Sequence, residues 1–551
     1  MPNASSTLSG SSRTPPKADA RLLRSRRWRT APRRSRHSAS PVNCVSCTPR
    51  SRGLPERVTL SRRMRTALLL AAAACASAPR LRPERTHLQP LLLEAIRFPT
   101  VAGNDQARLD QQQWLLRTAA SLGLAARDAG PVTEIELPGP PGAPVLGLVV
   151  HGDVQPVDEK QWTVPPFAGV VRDGAVYGRG AADDKGPLVQ ALLAMHALRD
   201  LKRTHALRLL VGSDEESGSR DVKTYLASHA PPAYSLVLDS EFPAVVGEKA
   251  WDGLAVLPAN LDPGSGKPWV IEEVDAGLAP SIVPDRARIT LRWREGTPAW
   301  EPLEQRLRAR TPAPGTTLEI EDRGPLLDVV VHGRAAHAGV NVEGGRNALV
   351  SLAQIVAGEL PDCALADVVA FAAHAGADLK GAALGLDKIA APGWRGWTVN
   401  VATLKKEPGL NGKLALVINL RRPPPLTATE SKERLYAEVR KFSPRLEPGE
   451  IYFGDEPLVF DRNAKIVRRL MDDYQRATGE HPPPAISGGG TYAKRIPNAI
   501  AYGMWFPGKP YTGHDVDEKI EVADLERGLD VLVETLRDLA SGPPLQDPFL
   551  P

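Results

Sequence analysis

A chain of 551 residues is long enough for two or three domains, and 42% apolar with 24% charged residues is the composition of a soluble globular protein. The formal net charge of +5 is unevenly spread: residues 1–63 hold 15 Lys/Arg against 2 Asp/Glu, leaving 54 basic and 62 acidic residues from Met64 onward. The body is therefore mildly acidic, which excludes a nucleic-acid partner argued from overall charge.

Residues 1–63 are rich in Arg, Ser and Pro and show no sustained apolar period, so they cannot build a core. Cys44 and Cys47 form a C-x-x-C there, but no second pair completes a zinc ribbon. Next comes "MRTALLLAAAACASAPR", residues 64–80, with a short basic start, an apolar run and a small-residue end, the layout of an export signal. The expectation is that synthesis starts at Met64, that 64–78 is the export signal, and that 1–63 is a non-native or disordered basic segment. The run Ala67–Ala74 is too short to span a bilayer. "AAAC" resembles a bacterial lipobox with Cys75 as the lipidated residue, the alternative being cleavage after Ala78. "SRRMRT" hints at a twin-arginine signal. The chain is thus expected outside the cytoplasm, periplasmic or lipid-anchored to a bacterial envelope through Cys75. Only Cys363 lies beyond that point, so no disulfide framework holds the fold.

From about Pro83 apolar strand-like runs alternate with amphipathic segments, the α/β pattern. "VLGLVVHGD" (145–153) predicts a buried strand ending at His151, and "HALRLLVGSDEE" (205–216) another ending at an acidic cluster. "YSLVLDSEF" (234–242) predicts a third, ending at Asp239, and "NAIAYGMWFPG" (498–508) a fourth, followed by His514. "GPLVQALLAMHALRDL" (186–201) predicts a helix with Pro187 in its first turn. Between about 250 and 435 the texture shifts toward Gly, Pro and strand-like segments, such as "LLDVVVHG" (326–333). The expected plan is an open-sheet α/β catalytic domain in two parts, 80–249 and 436–545, around an inserted α+β lid, 250–435.

Polar groups at the carboxyl ends of α/β strands mark the crevice where such sheets work. Each could be a solvated strand end, but His151, Glu215, Glu216 and Asp239 occupy equivalent places. In "HGDVQPV" a period of two puts His151 and Asp153 on one face, where Asp153 could fix the imidazole tautomer. In "YGRGAADDKGPL" (177–188) Asp183 and Asp184 lie in a Gly-flanked loop before a helix; helix capping is the plainer reading of that pair.

With "LDSEFPAVVGEKA" (238–250) and "GHDVDEK" (513–519) added, the set strongly resembles the di-zinc exopeptidase family of aminoacylases, carnosinases and succinyl-diaminopimelate desuccinylase, from about residue 85 to 540. "DSEFPAVVGEKA" and "GGGTYAKRIPNAIAYG" (488–503) are similar to signatures of its PepV-type bacterial dipeptidases. The resemblance implies two Zn2+ per chain, with Mn2+ or Co2+ as substitutes. His151 and Asp239 would hold one ion, Glu216 and His514 the other, and Asp183 both. It implies a bridging hydroxide as nucleophile and Glu215 as general base, with Asp153 supporting His151 and a cis peptide between Asp183 and Asp184. A donor set of His, Asp and Glu without Cys suits these metals, and a carboxylate free of metal is needed to move protons.

From the lid, "HGRAAHAGVNVEGGRNAL" (332–349) resembles the segment whose histidine, here His337, stabilises the oxyanion. "ALVINLRRPPP" (415–425) resembles the strand carrying a substrate-carboxylate arginine, matching Arg421 rather than Arg422. "SGGGTYA" (487–493) implies that Gly489, Gly490 and Thr491 contact substrate; the alternative is a flexible turn. "SIVPD" departs from the pattern, with Ser281 where PepV-type enzymes carry Asn. Asp at 239 resembles the aminopeptidase and dipeptidase members more than the aminoacylases. The implied protein is an exported metallo-dipeptidase acting on small peptides as a monomer, with no nucleic-acid partner. An N-acyl-amino-acid deacylase or β-alanyl dipeptidase is the alternative within the family, and an inactive binding lipoprotein the alternative outside it.

Overall fold

The computed structural model describes residue 81 and residues 83–551. The basic segment 1–63, the expected export signal 64–78, Cys44, Cys47 and the expected anchor Cys75 lie outside the described residues. Among the described residues no helix is long and apolar enough to cross a membrane, and Cys363 is a free, buried thiol.

Two sheets organise the fold. The first has six strands in the order Ala125–Asp128, Thr133–Leu137, Ala206–Gly212, Val145–His151, Tyr234–Val237, Ala499–Ala501. Its first two strands form an antiparallel edge, while the last four pair in parallel. Helices cover a parallel sheet, so its strands read as continuous apolar runs: Leu146 and Leu148–Val150 are fully buried, as are Leu207, Leu209 and Leu210. Helix Lys185–Ala197 is buried on every side through Met195, because helices Leu88–Ile96 and Val522–Ser541 press it against the sheet.

The second sheet is antiparallel with eight strands. They run Thr317–Arg323, Leu326–His332, Arg286–Trp293, Trp269–Ala276, Thr398–Glu407, Lys413–Arg422, Ala250–Pro258, Leu446–Tyr452. Helices Ala348–Ile355, Ala364–Ala375 and Ala428–Phe442 lie against it, closing a separate core around Trp300, Trp397 and Phe371. Its last strand pairs with Ala250–Pro258, so the texture change near residue 435 precedes the end of this sheet rather than marking it. Burial of each large apolar side chain contributes about 1.5–3 kcal/mol, so each sheet stands on its own core.

Candidate metal centre

The register of the parallel strands sets the site. His151 ends its strand opposite Gly212, the last residue of the neighbouring strand, and the chain then runs from Gly212 directly into Ser213–Glu216. On the other side, Asp239 follows two residues after strand Tyr234–Val237. Asp184 holds the N-cap position of helix Lys185–Ala197 yet does not cap it. Its carboxylate instead accepts the His151 backbone N–H at 3.1 Å, which displaces the helix-capping reading of this pair. The Asp183–Asp184 peptide is cis, as the resemblance implies.

Asp183 lies between two imidazoles. Its Oδ1 is 3.0 Å from His151 Nε2 and its Oδ2 is 3.2 Å from His514 Nε2. Glu216 Oε1 sits 3.0 Å from the same His514 nitrogen, and Asp239 Oδ2 sits 3.9 Å from His151 Nε2. The five expected ligands therefore converge. Donor atoms of His151, Asp183 and Glu216 lie within 4.8 Å of one another, as do those of His151, Glu215 and Asp239. Asp153 carries the acidic loop: its two oxygens accept the backbone N–H groups of Glu215 (3.2 Å) and Glu216 (3.0 Å).

Burial and crowding shift the titration of these groups together. Burial works against a charged His514, but Glu216 and Asp183 hold its imidazolium up to about 10. His151 is likewise held well above the histidine range by Asp153 and Asp183 against the effect of burial. Burial pushes Glu215 up to about 8, with Glu216 adding to the rise against the pull of His151, and lifts Asp239 well above the carboxylate range. Crowded carboxyls and imidazoles that take up protons to coexist are a donor set suited to divalent cations, and the absence of sulfur fits zinc, manganese or cobalt.

The second sheet contributes His337, Arg421 and their loops. His337 Nδ1 accepts the backbone N–H groups of Gly339 (3.0 Å) and Val340 (2.9 Å), so the neutral ring carries its proton on Nε2. Its ring centre is 4.4 Å from that of His514. Burial, with His514 and Arg421 nearby, holds it well below the histidine range, and hence neutral. Among the described residues the Arg421 side chain bonds only through Nε, to Asn419 Oδ1 at 3.1 Å, whereas Arg422 is fully buried and committed to Asp252 and Glu456. Gly489 and Gly490 line the cleft with Asp183, Glu215 and His337; the enclosed volume is about 30 Å³. Thr491 lines it too, but its N–H and hydroxyl both donate to Glu248, so it secures the loop.

Several residues here carried no signal of their own in the sequence. Tyr511 donates its hydroxyl to Asp183 Oδ2 at 2.6 Å. Glu518 accepts the N–H groups of Ala182 and Asp183 and pairs with buried Arg179. Gln155 Nε2 reaches both Glu216 Oε2 and Ser281 Oγ at 2.8 Å, so the shorter Ser281 is engaged by a glutamine from the other layer. Glu518 and Gln155 stand inside motifs already singled out, and Tyr511 three residues before His514. Only the folded geometry separates them from their neighbours.

Comparison with known proteins places this geometry. The pattern of peptidase family M20/M25/M40 matches residues 147–538. The chain is 29% identical over 406 residues to "Putative dipeptidase YtjP" of Bacillus subtilis, covering 72% of this chain and 84% of that protein. It is 27% identical over 405 residues to a Staphylococcus epidermidis protein of the same description, covering 72% and 83%. In fold it is similar to human carnosine dipeptidase 1 (TM-score 0.51, 15% identity, 82% of this chain and 95% of that one). It is similar also to the di-peptidase Dug1p of Saccharomyces cerevisiae (TM-score 0.52, 14% identity, 82% and 95%).

Proposed function

Because the chain belongs to peptidase family M20/M25/M40 and is thereby a peptide-bond hydrolase of the metallopeptidase type, we propose that it cleaves dipeptides and that Glu215 is its general base. One observation carries the reading: Asp183 offers one oxygen to His151 and the other to His514, with Glu215 beside it. In this reading His151, Asp183 and Asp239 would hold one cation, and Asp183, Glu216 and His514 a second. Divalent ions so held would supply Lewis-acid charge to a scissile carbonyl and acidify a water. Glu215 takes the proton of the attacking water and passes it to the leaving amine. His337, with its proton on Nε2, donates to the oxygen that gains charge as the carbonyl becomes tetrahedral. Arg421 has its terminal nitrogens free of acceptors among the described residues and offers them to the substrate carboxylate. His337 lies with its ring centre 4.4 Å from that of His514 of the same copy, which supports a site complete in one copy.

The test is a panel of dipeptides, N-blocked dipeptides and N-acyl amino acids, assayed on chelator-stripped protein and after reloading with zinc, manganese or cobalt. Dipeptide hydrolysis restored by metal is expected. Hydrolysis confined to N-acyl amino acids would assign the chain to the deacylases, and no hydrolysis of any substrate after reloading would leave only a binding role.

A further inference from the structure

Lys249 immediately precedes strand Ala250–Pro258, is only 3% exposed, and no carboxylate lies within 4.0 Å of its ammonium among the described residues. Its Nζ makes one hydrogen bond, to Thr398 Oγ1 at 3.1 Å. Thr398 stands directly opposite Arg421 across one strand pair, and Trp251 opposite Arg421 across the other. Residues directly opposite share a face, and Lys249 is two residues before Trp251, so Lys249 and Arg421 project from the same face of the sheet. Arg421 is itself 7% exposed and, among the described residues, without an ion pair.

Other buried cations nearby are matched. Lys494 meets Asp455 at 2.7 Å, and Arg422 meets Asp252 at 2.8 Å. Lys380 and the exposed Arg395 add positive charge to the surroundings of Lys249, while Glu343 is engaged by Lys380 at 3.4 Å. Two buried cations on one sheet face, neither in an ion pair among the described residues, are costly to hold, and a bound anion would relieve them.

We propose that Lys249 and Arg421 form a two-cation subsite that selects substrates whose C-terminal residue is aspartate or glutamate. Arg421 takes the α-carboxylate and Lys249 the side-chain carboxylate, with Lys380 and Arg395 drawing the anion inward. The assignment rests on the dipeptidase reading for which end of the substrate lies here.

The experiment measures binding of L-aspartate, L-asparagine, L-glutamate and L-glutamine to zinc-loaded full-length protein by calorimetry, for the native chain and for Lys249→Met. The acids should bind roughly tenfold tighter than their amides, the value of one charge-assisted contact, and Lys249→Met should remove that gap while leaving the amides unchanged. Equal binding of acid and amide by the native chain overturns the proposal without recourse to any variant. So does an equal loss for acid and amide in Lys249→Met. A panel of Xaa-Asp and Xaa-Asn dipeptides separates the two readings. An acid preference in binding with no dipeptide cleaved sinks the dipeptidase reading and keeps the subsite, whereas cleavage of both at equal kcat/KM does the reverse.

Discussion

The rim of the parallel sheet and the face of the antiparallel sheet treat charge in opposite ways. At the rim, carboxylates are fixed by backbone donors. Asp153 accepts from residues 215 and 216, Asp184 from His151, and Glu518 from residues 182 and 183. On the antiparallel face, the side chains of Arg421 and Lys249 each make a single hydrogen bond and no ion pair among the described residues. A rim with over-determined geometry suits chemistry, which needs reacting groups placed before substrate arrives. A face with unused donors suits recognition, which needs groups left for a ligand to satisfy.

The contrast can be broken most sharply at Glu215. Glu215→Gln should lower kcat by about 10²–10⁴-fold with two metal ions per chain retained by elemental analysis. Loss of metal along with activity would make Glu215 a ligand, the role its proximity to His151 and Asp239 also permits. His337→Ala should lower kcat by about 10²–10³-fold with KM nearly unchanged, since its donation strengthens only as the carbonyl oxygen gains charge. A rise in KM alone would move His337 to substrate binding.

The adjacent arginines test the other half. Arg422→Met strands the fully buried Asp252 and should cost about 3–5 kcal/mol in urea unfolding. Arg421→Met should leave the unfolding midpoint in place and raise KM instead. Equal destabilisation by both would erase the distinction between a structural and a recognition cation.

The smallest effect is a pH dependence. Burial, with Lys380 and Arg421 nearby and Arg395 beyond, brings Lys249 down to about 8, against a small opposing pull from Glu343. Anion binding requires the ammonium. The aspartate-over-asparagine preference should therefore be flat below pH 8 and shrink as pH rises through 8, by up to about tenfold between pH 7 and 9. A preference unchanged at pH 9 would mean that Lys249 does not carry it.

The sheet that builds the site was the legible part of the molecule. Parallel strands buried on both faces read as unbroken apolar runs, so their ends, and with them His151, Glu215, Glu216 and Asp239, stood out. His514 was legible only through its motif. It lies in a loop at φ +66, where no period announces a position. The commitments of single side chains were not legible. Nothing in "SGGGTYA" says that Thr491 spends both donors on Glu248, or in "DDKG" that Asp184 turns from its own helix to a neighbouring strand. These depend on partners 243 and 33 residues away, and pairings of that range are set by topology. Asp214, without an evident role in the sequence, pairs with Arg220 at 2.8 Å and closes the turn after the acidic cluster.

The grip of Asp153 on two consecutive backbone amides has a consequence for how this loop can vary. Successive side chains diverge, so the one carboxylate that fixes both peptide groups also fixes which glutamate turns toward His514. Exchanging side chains around the loop alters fit. Adding or removing one residue between Gly212 and Glu215 would slide the reading frame of the anchor and present proton carrier and ligand in each other's place. The segment is tolerant of spelling and intolerant of length.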